Sequence, residues 1–424
     1  MLLRGGRVNA DCNKLIIHHI GGRFGAGAFP VIKAFAPDSV NVFYDADVDC
    51  IEQIKEMHAS SKSELRVLPY CIGRGNAVQR FNINYDPTSS SLYRYNPEYG
   101  RFYFFCYSHD FIVSENMRSM EERMVTVTSM DELMVKEGAG VAPPDFLSLD
   151  AQGAEFDILQ GAHDTLKNSV LGLVIETWFH PVYAGQQLFG DISRYLSDRG
   201  FHFVRFLKTT EYSPARFPVG LRADGFQVFS DTLFLRSIDS LKADIRDASL
   251  LRLKLRKLAF MAIVFGQMEY ALMCLDESRR TPAVPSAVSG ARYEIFLREL
   301  EAAEKKMPLR YPPSFSEKYS YEISKGRFLL GEQDVTAQGT RRSIVERLWL
   351  RFIYPRIYSI AKIYDLVLNE IWAGVFLLVW TNTPVEKVLS RYGLTEQYRQ
   401  VKKRRAVQRL FGYLRKERNV ADAP

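Results

Sequence analysis

From residue 14 to residue 236, short apolar runs alternate with segments whose apolar residues recur every three to four positions, a pattern that predicts alternating strands and helices. Lys14–Ile20 is the first apolar run and ends in glycines. Val40–Tyr44 is the second, closed by Asp45. Asp47 then stands where a helix N-cap belongs, ahead of Ile51, Ile54 and Met57 at helical spacing. Leu65–Tyr70 is a third strand, whose Pro69 suits an end and not the middle of a ladder. The stretch from about 76 to 128 is less regular. Beyond it, Phe146–Leu149 ends at Asp150, and a helix from about 153 places Ile158, Leu159, Ala162 and Leu166 on one face. Leu171–Ile175 ends at Glu176. The helix around Leu188, Phe189, Ile192, Tyr195 and Leu196 stops at Gly200, a C-terminal glycine cap. Phe201–Leu207 and Gly225–Arg236 finish the unit as an antiparallel pair. The expected class is α/β, a mostly parallel sheet covered on both faces.

The texture changes near residue 237. Leu241–Met273 is one long helical pattern, 281–290 is a Pro- and Ser-rich loop, and a second helix covers about 291–306. The expected division is a sheet domain over 1–236, a helical hairpin over 237–310, a linker over 311–340 and a helical, basic region over 341–424, interrupted by Pro355 and Pro384. The longest apolar window, Ile371–Trp380, lies between Glu370 and Thr381 and is shorter than the ~18 residues a spanning helix needs. The first residues hold no apolar core of signal-peptide length. No membrane span is expected, and a cytoplasmic location is.

Composition narrows the class further. With 424 residues, 47% hydrophobic and 25% charged, the chain buries a sizeable core, which excludes a disordered class. Its five cysteines are scattered without a C-x-x-C pair, against a disulfide framework or zinc cluster, so no metal is expected. The net charge of +7 is local: residues 391–418 hold ten Lys/Arg against two Glu, leaving about −1 for the rest. Arg347–Tyr364 mixes Arg and Lys with Trp, Tyr and Ile. Two readings stand for this region: peripheral contact of residues 341–418 with an anionic membrane at its inner face, or a small helical bundle with a solvated tail. Nucleic acid is not expected, since no recognised module accompanies the basic run.

In doubly wound sheets, ligands sit at the carboxyl ends of the strands. Two features collect there: the glycine turn His19–Gly25, and Asp45 at the tip of the second strand. Glycines let the backbone approach a ligand, and an acidic residue at that tip accepts hydrogen bonds from ribose hydroxyls. A plain tight turn and an acidic helix cap are the bland alternatives. Together the two features point to a nucleoside-containing cofactor without choosing between NAD and S-adenosylmethionine.

The segment Pro144–Ala162, with its Ser-Leu-Asp-Ala-Gln-Gly-Ala-Glu core, resembles the signature of the FkbM family of methyltransferases, in which a strand ends in Asp-x-Glu-Gly-x-Glu and runs into a helix ending Leu-x-Gly-Ala. The resemblance extends to Val127–Leu133, Val174–Gln186, Leu188–Asp191 and Tyr44–Asp47, in the family's order, over about residues 14–236. It implies a class I methyltransferase fold, Rossmann-like with a mostly parallel seven-stranded sheet and helices on both faces, followed by all-α C-terminal regions. It implies S-adenosyl-L-methionine as cofactor, its methionine part over Gly21, Gly22 and Gly25, its ribose on Asp45 and its adenine near Cys71 and Ile72. The activity implied is O-methylation of a hydroxyl on a sugar, glycan precursor or similar small acceptor. Two positions depart from the family: His19 replaces an acidic residue at the end of the first strand, and Gln152 replaces the central Glu of Asp-x-Glu-Gly. They motivate a second reading, a non-catalytic cofactor-binding or membrane-docking subunit.

A sugar hydroxyl is a very weak acid, so a base that takes its proton during transfer helps by about 10²–10⁴. Asp150, Glu155 and His180 are the candidates. Asp150 equally suits orienting the cofactor, Glu155 favouring its helix's N-terminal end, and His180 bonding to loop backbone.

Overall fold

The structure is a computed structural model and describes residues 13–21, 29–30, 33–45, 48–59, 61–106, 109–136, 141–216, 225–282, 290–306 and 384–394. These fall into two compact units divided after Leu297.

In the first unit the chain opens with β1 (Leu15–Gly21), β2 (Ser39–Tyr44), α1 (Val48–His58) and β3 (Glu64–Leu68). There follow β4 (Cys71–Gly73), β5 (Ala77–Asn84), β6 (Tyr103–Cys106), β7 (His109–Ile112), α2 (Val113–Asn116), β8 (Ser119–Ser129) and α3 (Met130–Lys136). The regular alternation then resumes with β9 (Phe146–Asp150), α4 (Glu155–Gln160), α5 (His163–Asn168), β10 (Gly172–Trp178), α6 (Phe189–Ser197), β11 (Phe201–Ser213) and β12 (Phe226–Arg236).

In place of the expected seven-stranded, mostly parallel sheet, the described residues form a mixed sheet of nine strands, ordered β3-β2-β1-β9-β10-β12-β11-β6-β7. The first five run parallel, and every pairing from β10 onward is antiparallel. The additional hairpin, β6 with β7, and two strands of a separate three-stranded sheet, β4-β8-β5, come from the stretch that looks irregular in sequence; β4 just precedes it. The reason is exposure: Ser119–Met124 of β8 is solvent-facing on both sides, so no apolar alternation marks it as a strand.

Alternation along the parallel strands splits the core between two faces. On one, Ile16, Ile20, Val42, Leu147, Leu149 and Ile175 pack with Ile158, Leu159, Leu166, Ile192 and Leu196 from α4, α5 and α6. On the other, Phe146 meets Phe29 and Phe265, with ring centroids 4.9 and 5.6 Å away. In α1, Ile51 and Ile54 are buried as their spacing predicts, whereas Met57 is exposed. The single helix expected after residue 153 is two short ones, because a Cβ at Gly161 would lie 2.2 Å from the Gly73 carbonyl oxygen: the chain bends there to pass the end of β4.

The long helical pattern after residue 237 also breaks, into α7 (Ile238–Asp244), α8 (Ala248–Val264) and α9 (Met268–Arg280). Asp247 caps α8 by accepting from the Leu250 N–H, and Gly266 turns the chain at a φ of 76°. From Lys254 onward α8 is buried on every side, which a helix tolerates only if its charged groups find partners. They do. Asp145, just ahead of β9, accepts from Lys254 at 2.8 Å, from Lys257 at 2.7 Å and from the Ile16 N–H at 3.1 Å. Burial opposes charge on Asp145, but the two ammonium groups outweigh it and hold the carboxyl below its ordinary range.

A last helix of this unit begins α10 (Arg292–Glu304). In the second unit, the described residues are the remainder of α10 and α11 (Pro384–Arg391), where Arg391 and Tyr392 both bond Glu299. The basic region proposed for membrane contact lies, apart from 384–394, outside the described residues. Among the described residues no helix is long and apolar enough to cross a membrane.

Two histidines in β1 are buried neutral. Tyr44 donates its hydroxyl hydrogen to His18 Nδ1 (3.1 Å) while His18 Nε2 donates to the Ala142 carbonyl (3.0 Å), a pattern that fits the neutral ring. Burial pushes His18 down to about 3 and His19 down to about 4, against the bonds to Ala142 and Asn41.

Two predictions follow from these buried charges. Because the folded-state values of His18 and His19 are depressed, their contribution is present above the ordinary ~6.5 and is lost as pH falls toward the folded values, about 2 kcal/mol for each by pH 5. Urea unfolding at pH 7 and pH 5 should show that loss, and His19→Gln should remove about half of it. Asp145→Ala strands two buried lysines and should cost about 3–5 kcal/mol of unfolding free energy by the same measurement.

Candidate functional site

Strand register places one residue from each of several strands in a single row at the carboxyl end of the sheet. Gly21 pairs with Asp150, Glu176 with Asp231, and Asp231 with Lys208. Asp45 lies one residue past Tyr44, the partner of Ile20, and Glu176 lies one past Ile175, the partner of Leu149. From β2 to β11 the row therefore reads Asp45, Gly21, Asp150, Glu176, Asp231, Lys208.

Gly21 has to be glycine. Its φ is 73°, and a Cβ there would fall 2.0 Å from the Asp150 carbonyl oxygen. Above it opens a cleft, lined by Ile20, Gly21, Tyr44 and Asp45 on one side and by Asp150, Ala151, Gln152 and Ala154 on another. Tyr70, Cys71 and Ile72 form a third wall, and Phe81, Ile83, Thr88, Ser90 and Leu92 from β5 and the loop after it cover the top. The described lining of the cleft contains two carboxylates, Asp45 and Asp150, and neither lysine nor arginine.

The turn Asp150–Glu155 is held from several directions. Glu155, 1% exposed, accepts from the Ala151 N–H (2.8 Å) and the Gly153 N–H (3.0 Å). Gln152 sits at a φ of 53°, the left-handed region that a side chain rarely enters. Its carbonyl accepts from Ser91 Oγ at 2.6 Å, and its Oε1 accepts from the Tyr183 hydroxyl at 2.7 Å. Those bonds aim Gln152 Nε2 at two carboxylates, Asp150 Oδ1 at 2.6 Å and Glu176 Oε2 at 2.8 Å. An amide can serve both; a third carboxylate in that position could not.

Burial sets the electrostatics. It raises Asp150 above the ordinary carboxylate range although its bonds to Gln152 and Glu176 pull the other way. It raises Glu176 well above that range, reinforced by Asp150, Glu155 and Asp231. Glu155 is pushed up to about 8 by burial despite its backbone partners, and Asp231 to about 6 by burial and Asp150. Burial, then Asp45, pushes the Cys71 thiol up to about 12, so it is a protonated wall and not a nucleophile.

Of the residues singled out from sequence, the cleft brings together Gly21, Asp45, Cys71, Ile72 and Asp150. Gly22 and Gly25 lie outside the described residues. Glu155 stands behind the cleft, spending its carboxylate on the turn. His180 is not among the lining residues; its Nδ1 lies 3.2 Å from the Tyr99 hydroxyl and its ring faces Phe226. His19 is on β1 but not in the cleft either: it stacks on Phe43 at 4.3 Å and bonds Asn41 at 3.2 Å.

Sequence reasoning missed the partnership of Gln152 with Glu176, and missed Asp231 and Tyr183 altogether. One signal was there: Asp150 and Glu176 each end an apolar run, and aligning the two runs sets them side by side. Nothing comparable marks the covering residues Phe81, Ile83 and Leu92.

Residues 51–203 match the family described as the methyltransferase FkbM domain. No curated protein matches the chain. The matched segment runs from α1 into β11 and contains the turn Asp150–Glu155, Glu176 and most of the cleft wall. Residues 51–203 thus carry the match to a methyltransferase FkbM domain.

Proposed function

We propose that the protein is an S-adenosylmethionine-dependent O-methyltransferase whose acceptor is a hydroxyl of a sugar or glycan precursor. The observation that carries this reading is the cleft at the strand ends, where Asp45 and Asp150 flank Gly21 and where the methyltransferase FkbM domain supplies Asp150 and most of the wall. The residues suit the cofactor. Asp45 offers a carboxylate to a ribose diol, Gly21 offers backbone that no side chain obstructs, and Tyr70, Cys71 and Ile72 offer an apolar wall to an adenine ring. Carboxylates without a described lysine or arginine favour a cation over an anion. When bound, the cofactor supplies an electrophilic methyl group on a sulfonium.

The chain's part is to position and to take a proton. Methyl transfer needs acceptor oxygen and methyl carbon in line, and a rigid cleft contributes by removing the entropy of finding that arrangement. Among the three candidate bases, Asp150 is the one that lines the cleft. Its proton affinity, raised by burial, brings it closer to working pH than an ordinary carboxylate. Glu155 supports Asp150 by fixing the turn that presents it, and Gln152 orients its carboxylate.

Calorimetric titration should detect S-adenosylmethionine binding, and Asp45→Ala should weaken it by about 10- to 100-fold through lost charge-assisted hydrogen bonds. No binding to the wild-type chain would end the proposal in favour of a non-catalytic subunit. Asp150→Asn should lower methyl transfer to a panel of free and nucleotide-linked sugars by about 10²–10⁴, with cofactor still bound; unchanged transfer would remove Asp150 as the base.

A further inference from the structure

The row of acids extends beyond the cleft, and its members are not independent. Asp150 and Glu176 both accept from the same amide nitrogen of Gln152, in a buried setting. Glu176 is 6% exposed and faces Asp231 directly across the antiparallel β10–β12 pair. Residues opposed in this way have Cβ atoms about 4.5–5.5 Å apart. Three carboxyl groups so arranged cannot all ionise at ordinary cost, so the row holds at least one proton.

The groups acting on the row are few. Glu155 from α4 adds negative charge behind Asp150 and Glu176. The hydroxyls of Tyr183 and of Tyr212 on β11 are kept neutral by burial. Among the described residues, Lys208, paired with Asp231 at the outer end of the row, is the cation acting on it, and it acts on both Asp231 and Asp150. Among the described residues, the lining of the cleft at the inner end holds no lysine or arginine.

This argument rests on the methyltransferase reading and deepens it. We propose that the Asp150–Glu176–Asp231 row is a charge-compensating proton store: it gives up a proton when the cationic methyl donor binds and takes one back from the acceptor during transfer. In the transfer step, the acceptor O–H bond breaks and its proton goes to Asp150, leaving the electron pair on oxygen. An oxygen–carbon bond forms to the methyl group, and the sulfur–carbon bond breaks with its electron pair passing to sulfur. Sulfur loses its positive charge as Asp150 gains a proton, so the net charge of the site does not change.

Asp150 thereby becomes ionised only when a methyl donor is present. Exchange of the spent, neutral thioether for a fresh sulfonium resets the row by expelling the proton it took up. Glu176, which burial and the neighbouring acids raise well above the ordinary carboxylate range, is the member that holds that proton at neutral pH, and Asp231, opposite it, adds the negative charge that keeps it there. Gln152 is a positioning residue here: its amide ties Asp150 to Glu176 without adding a fourth acid.

The test needs no acceptor. S-adenosylmethionine and S-adenosylhomocysteine share every titrating group and differ in the sulfonium charge. Calorimetry of each with the full-length chain, in buffers of different ionisation enthalpy, counts the protons released. Wild type should release up to about one more proton with S-adenosylmethionine than with S-adenosylhomocysteine near pH 7. Its affinity for the former should rise by up to about tenfold per pH unit relative to the latter. Glu176→Gln and Asp231→Asn should each reduce that difference while both ligands still bind. Equal proton release by the two ligands in wild type would overturn the store and leave the methyltransferase reading intact. Failure of both to bind would overturn the two together.

Discussion

The structure depends on the register of β9, five residues held between β1 and β10. That register brings Gly21 against Asp150 at one end, and at the other it brings Asp145 against the Ile16 backbone and within reach of two lysines of α8. A slip by one residue would turn Leu147 and Leu149 out of their core face and take both aspartates from their partners. A single strand thus fixes the attachment of the C-terminal helices and the chemistry of the cleft.

The two ends of β9 solve the same problem, a buried carboxylate, in opposite ways. Asp145 meets two ammonium groups, is held below its ordinary range and has no freedom to change charge. That arrangement is structural. Asp150 meets an amide and another acid, is held above its ordinary range and retains a proton affinity suited to chemistry. Local conformation carries the cost of the second arrangement: Gln152 occupies a left-handed φ that its bonds to Ser91, Tyr183, Asp150 and Glu176 jointly maintain.

Between β3 and β9 the chain departs from the alternating pattern to build the cover of the cleft. Phe81, Ile83 and Leu92 place apolar surface over the carboxylates, which lowers the local dielectric and strengthens every charge interaction beneath. The same segment supplies Ser91, which bonds the Gln152 carbonyl. The cover and the Asp150–Glu155 turn are consequently one mechanical unit.

The sequence by itself determined the parallel strands, because β1, β2, β9 and β10 are buried on both faces and read as apolar runs ending in an acidic residue or glycine. It also determined the glycine at residue 21, the carboxylates Asp45 and Asp150 at strand tips, and the family resemblance. It did not determine β5 to β8, whose exposed faces carry no apolar period, or the breaks at Gly161 and Gly266, where neighbouring backbone or a turn ends a helical pattern. Tertiary structure alone decided which carboxylates act together. Glu176 and Asp231 are 55 residues apart in the chain and become neighbours only through strand pairing, and Asp145 finds its lysines more than 100 residues away. Periodicity records which face of an element is buried; partners across a sheet are set by register, which is a property of the assembled fold.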